Sequence, residues 1–153
     1  MIKNRIPTLA IALTLVLFFI QHFSTQPPVP KGIDAPQNEF SAVRAHNILK
    51  SLLRENQPHP VGSDLNRVIK ERLKVELDKL GIEHQEQKAW ACASRFSSCA
   101  EVENLIGIIP GKTDLPYLAL MAHYDSVPMA PGAGDDGAGV VAILEAARAL
   151  KLE

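Results

Sequence analysis

The chain has 153 residues, 46% of them hydrophobic, and a formal net charge of −1 from 16 Lys and Arg against 17 Asp and Glu. That near-neutral balance, with no basic stripe, excludes nucleic acid as an expected partner. There are no internal repeats, and the length left after the N-terminal region suits one small domain.

Residues 6–23 carry no charged side chain and follow Lys3 and Arg5. As a helix this stretch spans about 27 Å at 1.5 Å per residue, close to the ~30 Å hydrocarbon core of a bilayer. A buried core helix would show a polar face, and this one shows none. A cleaved signal peptide shares the charged start, but Ser24-Thr25-Gln26-Pro27-Pro28 offers no Ala-x-Ala-type site. The reading favoured here is an uncleaved signal anchor. The positive-inside rule then puts residues 1–5 in the cytoplasm and the rest on the exoplasmic side, in a periplasm, an extracellular space or an endoplasmic reticulum lumen. Residues 24–39, with Pro27, Pro28, Pro30 and Pro36, read as a stiff spacer. The domain is expected over 40–153.

Ala45, Ile48, Leu49 and Leu52 predict a helix over about 41–55. Ser63 or Asp64 caps a second helix, with Leu65, Val68, Ile69, Leu73, Leu77 and Leu80 on one face and a stop at Gly81. Its many charged residues read as a solvated face. Strands are expected near 82–89 and 102–109. The only cysteines, Cys92 and Cys99, lie between them in a loop of small residues. On the exoplasmic side that pair is expected to form a disulfide. No second pair or nearby histidine completes a cysteine metal site. His22, His46 and His84 read as structural, and His59, between two prolines, reads as structural or as approaching a substrate cleft.

After a turn over 110–116, the apolar run 117–122 suits a strand buried on both faces. His123 and Asp125 follow at its carboxyl end, where open α/β sheets bind their ligands. Two residues apart in extended backbone, they point the same way, so Asp125 can accept the second N–H of a metal-bound His123 imidazole. Gly132, Gly134, Gly137 and Gly139 then surround Asp135 and Asp136 in a loop able to fold around a small ion. Val140, Val141, Ile143, Leu144, Ala147 and Leu150 predict a helix from about residue 137. Asp136 is either its N-cap or support for the site. Glu145 reads as solvated or helix-pairing. A lone His-x-Asp is weak evidence, but the whole pattern between a strand and a helix is specific.

His-Tyr-Asp-Ser-Val-Pro at 123–128 and Ala-Pro-Gly-Ala-Gly-Asp-Asp-Gly-Ala-Gly at 130–139 resemble the zinc-binding region of the M28 family of metallopeptidases, the di-zinc aminopeptidases. They look closest to its membrane-anchored branch, which includes endoplasmic reticulum metallopeptidases. Pro-His-Pro-Val-Gly-Ser at 58–63 and Glu-Asn-Leu-Ile-Gly-Ile-Ile-Pro-Gly at 103–111 resemble its early segments. The resemblance runs from about Phe40 onward. It implies an α/β fold: an N-terminal transmembrane helix followed by part of a three-layer α/β/α zinc-exopeptidase domain with a mixed, mainly parallel sheet. It implies His123 as a ligand of one zinc, Asp135 as the carboxylate bridging two Zn2+ ions, Asp125 as the carboxylate behind His123, and Asp136 as support. The implied reaction removes N-terminal residues from peptides that have a free N-terminus.

The family's Glu-Glu pair (a general base and a ligand), a further acidic ligand and a final histidine have no counterpart here. An amino-terminal fragment, inactive alone, is therefore expected. Three alternatives remain. M20-type metal-dependent deacylases share His-x-Asp and Val-Pro but carry a Gly-Arg-Gly element before the bridging Asp. Receptor-like, non-catalytic relatives keep the fold and lose ligands, whereas His123 and Asp135 are intact. Glutaminyl cyclases share the fold with a single zinc and have Ser where Asp136 stands.

Overall fold

The computed structural model describes residues 5–93, 98–113 and 116–151. Lys3, residues 94–97, Asp114 and Glu153 lie outside them. The chain forms two compact units, one ending at Pro30 and one beginning at Lys31.

The first unit is helix α1, Arg5–Ser24. Its stretch Pro7–Ser24, with mean hydropathy 1.7 and no buried residue, is long and apolar enough to cross a membrane. Thr14 Oγ1 bonds back to the Ala10 carbonyl at 2.9 Å, so that hydroxyl carries no unmet donor.

In the second unit, α2 (Ala42–Leu52) starts at Ser41, whose hydroxyl accepts from Arg44 N at 3.1 Å. Helix α3 (Asp64–Lys79) starts likewise at Ser63, which accepts from Asn66 N. It ends at Gly81, whose φ of +61° suits glycine, with Ile82 N returning to Leu77 O at 3.0 Å. Strands β1 (Glu83–Ala93) and β2 (Ser98–Ile108) pair antiparallel from Glu83↔Ile108 to Ala93↔Ser98. The structure joins Cys92 to Cys99 by a disulfide. Helix α4 is Ala138–Lys151. Its Lys151 ammonium donates to Leu80 O at 2.7 Å, placing a cation at the carbonyl end of α3.

The core is Ala45, Leu52, Ile69, Leu73, Leu77, Ile82, Val141 and Leu144. It holds α2, α3 and α4 together over the base of the hairpin. The charged face of α3 is not all solvated. Lys70 is buried and bonds Glu86 at 2.8 Å and, more closely, Glu103. Burial opposes its charge, but the two glutamates outweigh that and raise its pKa above the usual lysine value.

Two expectations need correcting. The sheet among the described residues is a two-stranded antiparallel hairpin rather than a mixed, mainly parallel one. The segment at 117–122 is not a strand: none of the described residues pairs with it, and Tyr117, Leu118 and Met121 are 86–89% exposed. An extended run becomes a strand only when a neighbour takes its N–H and C=O groups.

Within the expected spacer over 24–39, the second unit begins at Lys31. Residues from Lys31 onward belong to the domain, because Arg44 donates to Ala35 O (2.8 Å) and Glu39 O (2.7 Å), and Arg148 donates to Glu39 O (2.8 Å). Of the two readings of Glu145, helix pairing is the one that holds: it is fully buried and pairs with Arg148 on the same helix. Its carboxylate accepts from Ser41 N (2.9 Å), Arg44 Nε (3.0 Å), and Arg148 Nε and Nη2 (both 2.8 Å). Burial opposes its charge, but Arg148, Ser41 and Arg44 more than offset that and lower its pKa.

Candidate metal centre

Tyr124 sets the direction of its neighbours. It packs on the core and its hydroxyl donates to Glu103 O at 2.8 Å. Burial, then the nearby acidic charges, push its pKa up. Alternation in extended backbone turns His123 and Asp125 away from that anchor. The loop then passes Gly132, in left-handed backbone with φ +67°, and enters one wide turn over Ala133–Gly137. Gly137 N donates to Gly132 O at 2.9 Å to close it. The Asp135–Asp136 peptide bond is cis. The Asp136 carboxylate accepts from Gly139 N at 3.1 Å, so it caps α4.

His123 Nε2 lies 3.0 Å from Asp135 Oδ1. Its Nδ1 lies 3.1 Å from Asp125 O and 3.4 Å from Asp125 Oδ1. The His123 side chain is half exposed and that of Asp135 is 90% exposed. Both ring nitrogens thus face oxygen acceptors, and a neutral imidazole has only one N–H to give. If Nδ1–H faces Asp125, the Nε2···Asp135 contact needs a second proton or a cation. The pKa of His123 is raised: partial burial opposes protonation, but the hydrogen bonds to Asp135 and Asp125 and their charges outweigh it.

The donor types fit zinc, which takes imidazole nitrogen and carboxylate oxygen. Bonds of about 2.0–2.1 Å at a tetrahedral angle put two donors about 3.3 Å apart, near the observed 3.0 Å. The number falls short, since a catalytic zinc takes about three protein ligands. Among the described residues no group of three or more His, Cys, Asp or Glu side chains converges as a metal site.

The structure therefore brings His123, Asp125 and Asp135 together and turns Asp136 toward α4. Cys92 and Cys99 close the hairpin, and Glu145 belongs to the buried arginine cluster. His59 is buried and bonded through its backbone to Ser126. Ser126 was not singled out from sequence. It stood in the His-Tyr-Asp-Ser motif, but nothing signalled a partner at a separation of 67 residues.

Residues 104–153 match the profile of Peptidase family M28. The chain carries a peptidase family M28 segment. Among curated proteins it is 30% identical to a vacuolar membrane protease of Coprinopsis cinerea, over 93% of this chain and 16% of that protein. It is 49% identical to aminopeptidase YwaD of Bacillus subtilis, over 32% of this chain and 11% of the relative. It is 29% identical to leucine aminopeptidase 1 of Sclerotinia sclerotiorum, over 84% of this chain and 34% of the relative. The chain thus spans between a tenth and about a third of the length of these relatives. Among solved structures it resembles glutaminyl cyclase of Porphyromonas gingivalis, with TM-score 0.62 and 28% identity, over 74% of this chain and 41% of that one.

Proposed function

We propose that this M28 segment is the first part of the active site of a zinc-dependent exopeptidase, in which His123 and Asp135 hold the metal. The observation that carries the reading is the His123 Nε2 to Asp135 Oδ1 spacing of 3.0 Å, at a half-exposed position between two acceptors. Bound zinc supplies a Lewis acid and a water of lowered pKa. His123 gives Nε2 to it. Asp125 faces Nδ1 and fixes the ring's tautomer and orientation. Asp135 offers one oxygen toward His123 and would serve as the carboxylate shared between two ions. Asp136 caps α4 and so holds the adjacent Asp135 in place. The general base and remaining ligands are not among the described residues.

The substrate class is peptides with a free N-terminus. Aminopeptidase-named relatives support it. The protein is a single-pass membrane protein anchored by residues 6–23, with its N-terminus cytoplasmic and its domain on the exoplasmic side. That reading is supported by α1 and by the vacuolar membrane proteases. The α/β domain belongs to a three-layer α/β/α architecture, a reading the glutaminyl cyclase similarity supports.

A second reading follows from the glutaminyl cyclase similarity, namely cyclisation of N-terminal glutamine. One experiment separates them. The native membrane protein is incubated with peptides bearing N-terminal Leu or Gln, free or acetylated, and products are weighed by mass spectrometry. Loss of the N-terminal residue from free peptides, abolished by a zinc chelator and restored by zinc, supports the exopeptidase. Loss of ammonia from the Gln peptide alone supports the cyclase. Cleavage of acetylated peptides at the same rate contradicts both.

A further inference from the structure

We infer that Ser126 is a positioning residue for the His123–Asp135 pair, clamped to the backbone of His59. The inference rests on the zinc reading of that pair. Ser126 is 4% exposed and His59 is 2% exposed. Two bonds run between them in opposite directions. His59 N donates to Ser126 Oγ at 2.7 Å, and Ser126 N donates to His59 O at 3.2 Å. The Ser126 hydroxyl spends its own proton on Val127 O at 3.0 Å. The segment at 58–60 is stiffened by Pro58 and Pro60, whose φ angles are fixed. Ser126 is thus tied to a rigid support that is remote in sequence.

The return limb of the loop is referenced to the same point. A Cβ at Gly132 would lie 2.8 Å from Ser126 Cβ and 3.4 Å from His59 Cε1. Gly132 therefore lies directly on the clamp, and its φ of +67° also favours glycine. From Ser126 the chain runs back through Asp125 to His123. From Gly132 it runs forward through the closed turn to Asp135. Both donors of the pair are measured from one clamp, which fixes their separation before any ion arrives and lowers the ordering cost of binding it.

The test uses the native full-length protein carrying this chain, in detergent. Zinc affinity is measured by competition with a chelating dye, and the thermal midpoint of the metal-free protein is measured alongside. Ser126→Ala is expected to weaken zinc binding 10- to 100-fold, the range for groups that orient metal ligands. Gly132→Ala is expected to weaken it as well. Ser63→Ala, which removes the α3 cap away from the loop, is expected to lower the midpoint and leave zinc affinity within twofold. If Ser126→Ala also stays within twofold, or its loss of affinity matches that of Ser63→Ala, the inference is overturned while the zinc reading stands. No zinc uptake by the unsubstituted protein overturns the zinc reading and the inference with it.

Discussion

Glu145→Gln is expected to loosen the whole N-terminal edge of the domain. The Glu145 carboxylate is fully buried and accepts bonds from Ser41 N, Arg44 and Arg148. The two arginine side chains are only 16% and 14% exposed. Removing the negative charge leaves two mostly buried guanidinium groups unpaired, a loss of about 3–5 kcal/mol for a buried pair broken from one side. The glutamine oxygen keeps one hydrogen bond, which offsets about 1 kcal/mol. The net loss of about 2–4 kcal/mol is large against the ~5–15 kcal/mol typical of a whole domain. Followed by circular dichroism in urea, it corresponds to a midpoint shift of about 1 M or more. Limited proteolysis is expected to cut within 31–40 earlier in the variant, because Arg44 and Arg148 hold that segment's carbonyls. A midpoint unchanged within experimental error, with no new cleavage, would refute the claim that this cluster holds the segment.

Acid is expected to destabilise the fold between about pH 4.5 and pH 2. Hydrogen bonds from Lys70 and Lys74 hold the Glu86 pKa down from 4.5 to about 2, and Lys70 and Lys88 lower that of Glu103. A depressed carboxylate stabilises fully above its unfolded pKa, and that contribution is lost as pH falls through the folded value. Circular dichroism against pH checks this, and Lys70→Met is expected to flatten the loss. Leu144→Ala is expected to cost about 2–5 kcal/mol by leaving a core cavity, read from the same urea titration; a cost under about 1 kcal/mol would contradict its place in the core. Residues 31–153 expressed alone are expected to aggregate through the exposed 117–122 run. Light scattering checks this, and Leu118→Lys with Met121→Lys is expected to reduce it.

What was legible in the sequence was local. Ser63 announces α3 because a cap is a short-range bond to the next turn. Gly81 ends α3 for an equally local reason. His123, Asp125 and Asp135 meet because one tight loop connects them. Non-local pairing was not legible. Glu145 sits on an amphipathic helix like any solvated glutamate, and only the fold brings Arg44 to it across 101 positions. Ser126 looked like part of a motif, yet its partner is the backbone of His59, which no side-chain pattern marks. Residues 117–122 have the composition of a strand, but composition does not supply the neighbour that makes one.

The central claim is that His123 and Asp135 hold zinc, and the most direct measurement is the zinc content of the native protein by elemental analysis. The unsubstituted protein is expected to carry at least one zinc per chain after dialysis, while His123→Ala and Asp135→Asn lose zinc yet stay folded by circular dichroism. Full zinc occupancy in both folded variants, or no zinc in the unsubstituted protein, would contradict the claim.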